Sequence, residues 1–295
     1  MADYENAIEI NGLTKKYDDF LLDNVSFDVP KGSIVGFIGQ NGAGKTTTIK
    51  SILNIIKNDS GTIKIFGRDN REHEFEVKED IAAVFDEIPF HEQLSPYHLS
   101  RVLKGIYKKW DNGVFKSYLD RFSLPEKKLI GQYSKGMKMK LQIAAALSHN
   151  AKLLIMDEPT TGLDPVVRNE ILDIFLEYLQ DEEHSILMSS HITTDLEKIA
   201  DSVTFINRGR LLLSGYKDEI LDNHGLIKCS LKDYREIDPE DIISARVNEF
   251  SAAVMVSDKA GCKRKYSGAV MDNAALEDIM LYYVNADNSG KKEWS

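Results

Sequence analysis

Eight residues near the start of the chain, GQNGAGKT from Gly39 to Thr46, place two glycines, a lysine and a threonine in the order G-x-x-x-x-G-K-[ST]. Glycines let successive backbone N–H groups curl around an anion, and a lysine at the end of the loop adds a mobile positive charge. The pattern suits the phosphates of a nucleotide. Lys45 is the charge clamp and Thr46 offers a hydroxyl to Mg2+, while Gly39, Asn41, Gly42, Ala43, Gly44 and Thr47 complete the nucleotide-binding set. The helix that starts near Gly44 points the positive end of its dipole at the same anion. A glycine-rich strand-to-helix turn is the plainer reading of these letters.

A second stretch, KLLIMDEPTTGLD from Lys152 to Asp164, ends an apolar strand in two adjacent carboxylates. Asp157 suits a Mg2+ ligand, direct or through water, because hard cations prefer carboxylate oxygen. Glu158, one residue further, is placed to polarise the water that attacks a terminal phosphate, which makes it the general-base candidate. A solvated turn after a buried strand would also read Asp-Glu-Pro. A third stretch, YSKGMKMKLQIAAAL, sets Ser134 as N-cap of a helix with Gly136 in its first turn.

The elements that carry these residues alternate between strand-like and helix-like, which predicts an α/β core around a largely parallel sheet. Strands are expected at Ile8–Ile10, Val25–Val29, Ile34–Ile38, Thr62–Phe66, Ala82–Phe85, Leu153–Met156, Ile186–Ser189 and Val203–Ile206. A helix over Asp164–Leu179 has Asp164 to cap it, Pro165 in its first turn and Val167, Ile171, Ile174, Phe175 and Tyr178 on one face. Residues 89–149 read as a mostly helical insertion, and after about Leu221 the texture changes to short strands and one helix. The division is residues 1–221 and an accessory unit at 222–295. The 295 residues are 42% hydrophobic and 28% charged with net charge −10, an ordinary globular composition that argues against broad nucleic-acid binding. No uncharged apolar run approaches the roughly 18 residues that cross a bilayer. The acidic start MADYENAIEI lacks the basic and apolar regions of a secretory signal, and Cys229 and Cys262 read as reduced thiols.

The P-loop, the serine–glycine helix start and the Asp-Glu strand, in that order, resemble the ATP-binding subunits of ABC transporters over about residues 5–220. The resemblance implies an ABC-type P-loop ATPase core, with an N-terminal antiparallel β subdomain, a helical insertion and a small C-terminal α+β appendage. It implies ATP and Mg2+ as ligands, and a dimer with two shared sites, since the signature resembled by YSKGM binds the γ-phosphate held by the opposite protomer. It also implies a separate membrane-spanning permease that holds the subunit at the inner face of the membrane. Tyr17 resembles the aromatic that stacks on adenine, although a hairpin-tip tyrosine is the plainer reading. Asp164 resembles the dimer-contact loop, and His191 in SSHITTDLE resembles the histidine that senses the γ-phosphate.

Two departures stand out. Asp86 in AAVFDEIPF occupies the place where the family usually carries a glutamine, and it is the third metal-ligand candidate beside Thr46 and Asp157. Met137 replaces a common glutamine in the signature, a variant that resembles exporters of peptides, antibiotics or lipids. The expectation is an ATPase subunit that powers an exporter through ATP-driven closure of a dimer. The rivals are a soluble ABC ATPase acting on ribosomes or DNA and a non-hydrolysing nucleotide sensor. Intact Glu158 speaks against the sensor, and the single cassette and the absence of a long insertion between Lys45 and Ser134 speak against the soluble forms. The tail from about Asn223 is expected to be dispensable for the phosphate site, and Phe90, Leu94 and Tyr97 are expected to face the permease.

Overall fold

In the computed structural model, which describes residues 4–289 and 293–294, the chain opens with β1 (Asn6–Lys16) and β2 (Leu21–Pro30), an antiparallel hairpin. From Val25 to Val29 alternate residues of β2 are buried, as expected of a sheet with one wet face. β3 (Ile34–Ile38) is buried at every position and leads through the P-loop into α1 (Lys45–Ile52). β4 (Ser60–Ile65) and β5 (Arg68–Asp69) return to the first sheet, whose order is β2-β1-β4-β5.

α2 (Glu74–Asp80) then feeds β6 (Ile81–Phe85). The helical insertion follows as α3 (Pro96–Ile106), α4 (Asn112–Arg121) and α5 (Lys135–Leu147), each started by a side-chain cap from Ser95, Asp111 and Ser134. β7 (Leu153–Asp157), α6 (Pro165–Tyr178), β8 (Ser185–Ser190), α7 (Thr193–Ile199), β9 (Ser202–Asn207) and β10 (Arg210–Tyr216) complete the central sheet, in the order β10-β9-β3-β8-β7-β6. All its pairings are parallel except β9 with β10. The uninterrupted burial of β3, β7 and β8 matches strands covered on both faces. Their carboxyl ends share one edge, the place where open α/β sheets bind ligands.

The tail holds α8 (Lys217–Asn223), β11 (Gly225–Ser230), α9 (Leu231–Tyr234), β12 (Ser244–Val247), β13 (Ser251–Val256), α10 (Lys259–Lys265), β14 (Val270–Asn273), α11 (Leu276–Ser289) and β15 (Glu293–Trp294). Its sheet, β14-β11-β13-β12-β15, has a small core of its own around Ile227, Ala245, Val254 and Val256. Its long helix does not share that core. Leu276, Ile279 and Tyr282 of α11 are buried in the principal core with Ile199, Val203, Phe205 and Ile220. A chain cut near Asp222 would therefore leave that apolar surface facing water, so the tail is part of what holds the main core together. Strands β10 and β11 are additions to the sequence reading. β10 has no buried position and so carries no inward pattern. Cys229 and Cys262 are free thiols.

His149, just beyond α5, is buried and stacks on the Tyr107 ring at 3.9 Å, joining the ends of α3 and α5. Burial, helped by the nearby Lys109 charge, pushes its pKa down to about 4 from 6.5. The unfolded chain takes up this proton below pH 6.5 while the folded chain resists it, so the stabilising contribution is complete above 6.5 and lost as pH falls toward 4. Denaturant midpoints measured across this range should fall more steeply in the wild type than in His149→Phe; parallel slopes would rule the contribution out.

Candidate functional site

At the carboxyl edge of β3 the loop turns so tightly that a Cβ on Gly39 would lie 2.6 Å from the Ile206 carbonyl oxygen. Gly44, the N-cap of α1, has φ 117°, a conformation that side chains other than glycine's rarely allow. These two glycines draw the loop back over the helix N-terminus, where unpaired N–H groups gather. Lys45 is only 5% exposed. Its Nζ donates to the carbonyls of Gly39 at 2.6 Å and Gln40 at 3.3 Å, and lies 3.0 Å from Glu158 Oε1.

The parallel register of β7 and β8 sets Asp157 beside Ser189. Asp157 Oδ1 accepts from Ser189 Oγ at 2.6 Å, and Oδ2 accepts from Thr46 Oγ1 at 2.7 Å. Glu158 follows with φ 55°, a left-handed backbone that costs about 1–3 kcal/mol in a residue other than glycine. Its N–H is held by the Ser189 carbonyl at 3.2 Å and by Ser189 Oγ at 3.1 Å. Glu158 Oε2 accepts from Thr161 Oγ1 at 2.8 Å and lies 2.6 Å from His191 Nδ1, at the end of β8. Burial pushes the Glu158 carboxyl up. The Lys45 charge and hydrogen bond, the Thr161 hydroxyl and the His191 ring outweigh that and hold it below its ordinary value. The site thus holds a carboxylate that stays ionised at neutral pH next to a buried ammonium.

The cleft is about 490 Å³, within the usual size of a small-molecule site, and is lined by the loop, Lys45, Thr46, Thr47, Glu158 and two aromatics, Tyr17 and Phe20. Tyr17 lies in the β1–β2 turn, closed by a hydrogen bond from its N–H to the Phe20 carbonyl, and is 43% exposed. Phe20, Gln40 and Ser189 escaped the sequence reading. Ser189 becomes visible only when β8 is laid beside β7.

Four expected residues lie elsewhere. Ser134 caps α5 through Met137 N–H at 3.2 Å and is exposed, and neither it nor Gly136 lines the cleft. Asp164 caps α6, accepting from Val166 and Val167 N–H at 3.1 Å. Asp86 is not brought to Asp157 and Thr46. Its carboxylate pairs with Lys135 at 2.6 Å in a separate hollow, because Gln142 occupies the end of β6 and bonds both the N–H and the carbonyl of Phe85.

A family model described as ABC transporter matches residues 22–161. The bacitracin transport ATP-binding protein BcrA of Bacillus licheniformis is 37% identical over 211 residues, 70% of this chain and 68% of that protein. The chain belongs to the ABC transporter family. The lantibiotic transport ATP-binding protein SrtF of Streptococcus pyogenes is 34% identical over 209 residues, 70% of this chain and 89% of that protein. A solved structure titled as an ATP binding subunit of an ABC transporter superposes with a TM-score of 0.67 at 28% identity, covering 73% of this chain and 92% of that one. The chain is thus an ATP-binding, ATP-hydrolysing subunit of an ABC transporter, with the fold expected of one. Among the described residues no helix is long and apolar enough to cross a membrane.

Ser189→Ala removes both the hydroxyl that orients Asp157 and one acceptor for the Glu158 N–H. Steady-state ATP hydrolysis should drop about 10- to 100-fold, the loss seen when hydrogen-bond partners that orient site ligands are removed. Activity near wild type would show that the register alone holds the pair.

Proposed function

We propose that the cluster of Lys45, Thr46, Asp157, Glu158 and His191 binds ATP with Mg2+ and hydrolyses it to drive export of a peptide-antibiotic-like cargo. The observation that carries the reading is the convergence of one buried ammonium, two carboxylates and a helix N-terminus on a single cleft. Thr46 Oγ1 and Asp157 Oδ2, hydrogen-bonded to each other at 2.7 Å, are the oxygens that would hold Mg2+, a hard cation that prefers oxygen donors. When bound there, Mg2+ supplies charge that neutralises the phosphate oxygens.

Lys45 then exchanges its loop carbonyls and Glu158 for the denser anion. Glu158, released from Lys45 and still held by Thr161, accepts the proton of the attacking water. His191 lies against the same carboxylate oxygen, where it orients that group and donates toward the terminal phosphate. Tyr17 and Phe20 offer ring faces at the loop's open side for the base. Ser134 and Gly136, absent from their own cleft, are available to a second ATP-binding subunit, and Asp164 stands exposed where it can meet the same partner. The names of BcrA and SrtF, a bacitracin and a lantibiotic transport protein, support a peptide-antibiotic class of cargo.

Lys45→Ala should abolish ATP binding, whereas Glu158→Gln should bind ATP, lose turnover and accumulate as a dimer. Size-exclusion chromatography with and without MgATP separates these outcomes, and a Gln variant that stays monomeric in both counts against shared sites.

The helical insertion offers the permease surface. Leu99 and Leu103 are buried, and Phe90 and Leu94 are half-buried against the core, but Tyr97 is 49% exposed. Tyr97→Ala should weaken capture by the co-expressed permease by about 1–3 kcal/mol while ATP binding is kept. Equal capture by variant and wild type removes Tyr97 from the interface.

A further inference from the structure

The turn between β9 and β10 is wedged between the P-loop and the first hairpin. Arg208 and Gly209 both have positive φ, 45° and 78°, as two-residue hairpin turns demand. Gly209 N–H donates to the Ala43 carbonyl at 2.8 Å, and the Gly209 carbonyl accepts from Asp23 N–H at 2.8 Å. There is no slack at this junction, since a Cβ on Gly209 would lie 1.8 Å from the Leu21 carbonyl oxygen. In a planar trans peptide the C=O and the next N–H point in opposite directions. Holding the Ala43 carbonyl outward therefore aims the Gly44 N–H inward, toward the phosphate cradle.

The same turn is gripped from the other side by the tail. α11 is anchored at its start by Leu276 N–H on Glu197 Oε1 at 2.7 Å and along its length by Ile279 and Tyr282 in the main core. Its last turns bring Asp287 Oδ2 to within 2.7 Å of Asn207 Nδ2, at the end of β9. Asn207 is 3% exposed, so its amide direction is fixed by the groups around it. Asp287 also lines a hollow with Arg208 and Arg210 whose wall shares Phe20 and Gly42 with the nucleotide cleft.

We infer that the C-terminal helix is a positioning element for the P-loop, with Asp287 setting the β9–β10 turn through Asn207 and that turn setting the Ala43–Gly44 peptide. The inference rests on Gly39–Thr46 being the ATP site. Asp287 does not line the nucleotide cleft and acts through the turn, so it governs how well the cradle is formed and not the chemical step. The tail thereby has a direct line to ATP affinity.

The test uses the full-length chain, with ATP-concentration dependence of hydrolysis, binding of a trinitrophenyl ATP analogue and thermal melting. Asp287→Ala should raise KM and the analogue's Kd about three- to tenfold, the weight of one hydrogen bond, with kcat and Tm unchanged. Asp287→Asn keeps an acceptor oxygen and should restore wild-type affinity. Asn207→Asp should weaken binding, and the double variant Asn207→Asp with Asp287→Asn, which reverses donor and acceptor, should recover it. Wild-type KM in Asp287→Ala, a loss that Asp287→Asn fails to repair, or a fall in Tm that parallels the loss would each overturn the proposal. Lys45→Ala is run alongside. If it still binds the analogue, the ATP-site reading fails; if it does not and Asp287→Ala binds normally, only the link to the helix fails.

Discussion

A lysine ammonium taken out of water is costly unless its charge is met at once, and Lys45 is 5% exposed. Its partners come from separate parts of the chain: carbonyls of the loop after β3 and the carboxylate just past β7. Both must arrive at one edge of the sheet in the right register. β8 lies between β3 and β7 and sets that register, with Ile38 beside Ser190 and Asp157 beside Ser189. The order of the central strands, the strained backbone of Glu158 and the double use of Ser189 are all ways of meeting this one buried charge. An anion entering the cleft competes for the same ammonium. On the proposed reading, ligand binding by Lys45 and its stabilising role are one interaction with exchangeable partners.

What the sequence disclosed was local. The loop from Gly39 to Thr46, the caps at Ser134 and Asp164, and the adjacent Asp157 and Glu158 each lie within a few residues, so their letters carry their geometry. Ser189 and Phe20 owe their places to strand pairing and hairpin closure, which no short window encodes. Asp86 stands at the end of its strand as expected, yet Gln142 from α5 fills that end and the carboxylate turns to Lys135. That the tail ends in a helix, α11, was readable, but not which core it faces. Nothing in Leu276, Ile279 and Tyr282 says whether they cover the tail's own sheet or the larger one.

The insertion and the tail meet the core in different ways. α5 is buried almost all round, with Met139, Leu141 and Ile143 through Ala146 inside, and it docks on β6 through Gln142. It is a rigid handle on the edge of the sheet that carries Asp157's neighbour strand. The tail's sheet keeps a core of its own and adds Met255 of β13 to the common one, in which α11 is embedded through Leu276, Ile279 and Tyr282.

Gly209 has a bearing on how inherited changes in this chain would be read. It lies far along the chain from the P-loop, in a turn with no catalytic letters, yet no other residue fits between Leu21 and Ala43. A substitution there must push the first hairpin and the loop apart together. In a genetic screen such an allele would look like a lesion of the Gly39–Thr46 loop itself, and its carrier would be mistaken for a mutant of that loop although the residue meets only backbone of other elements.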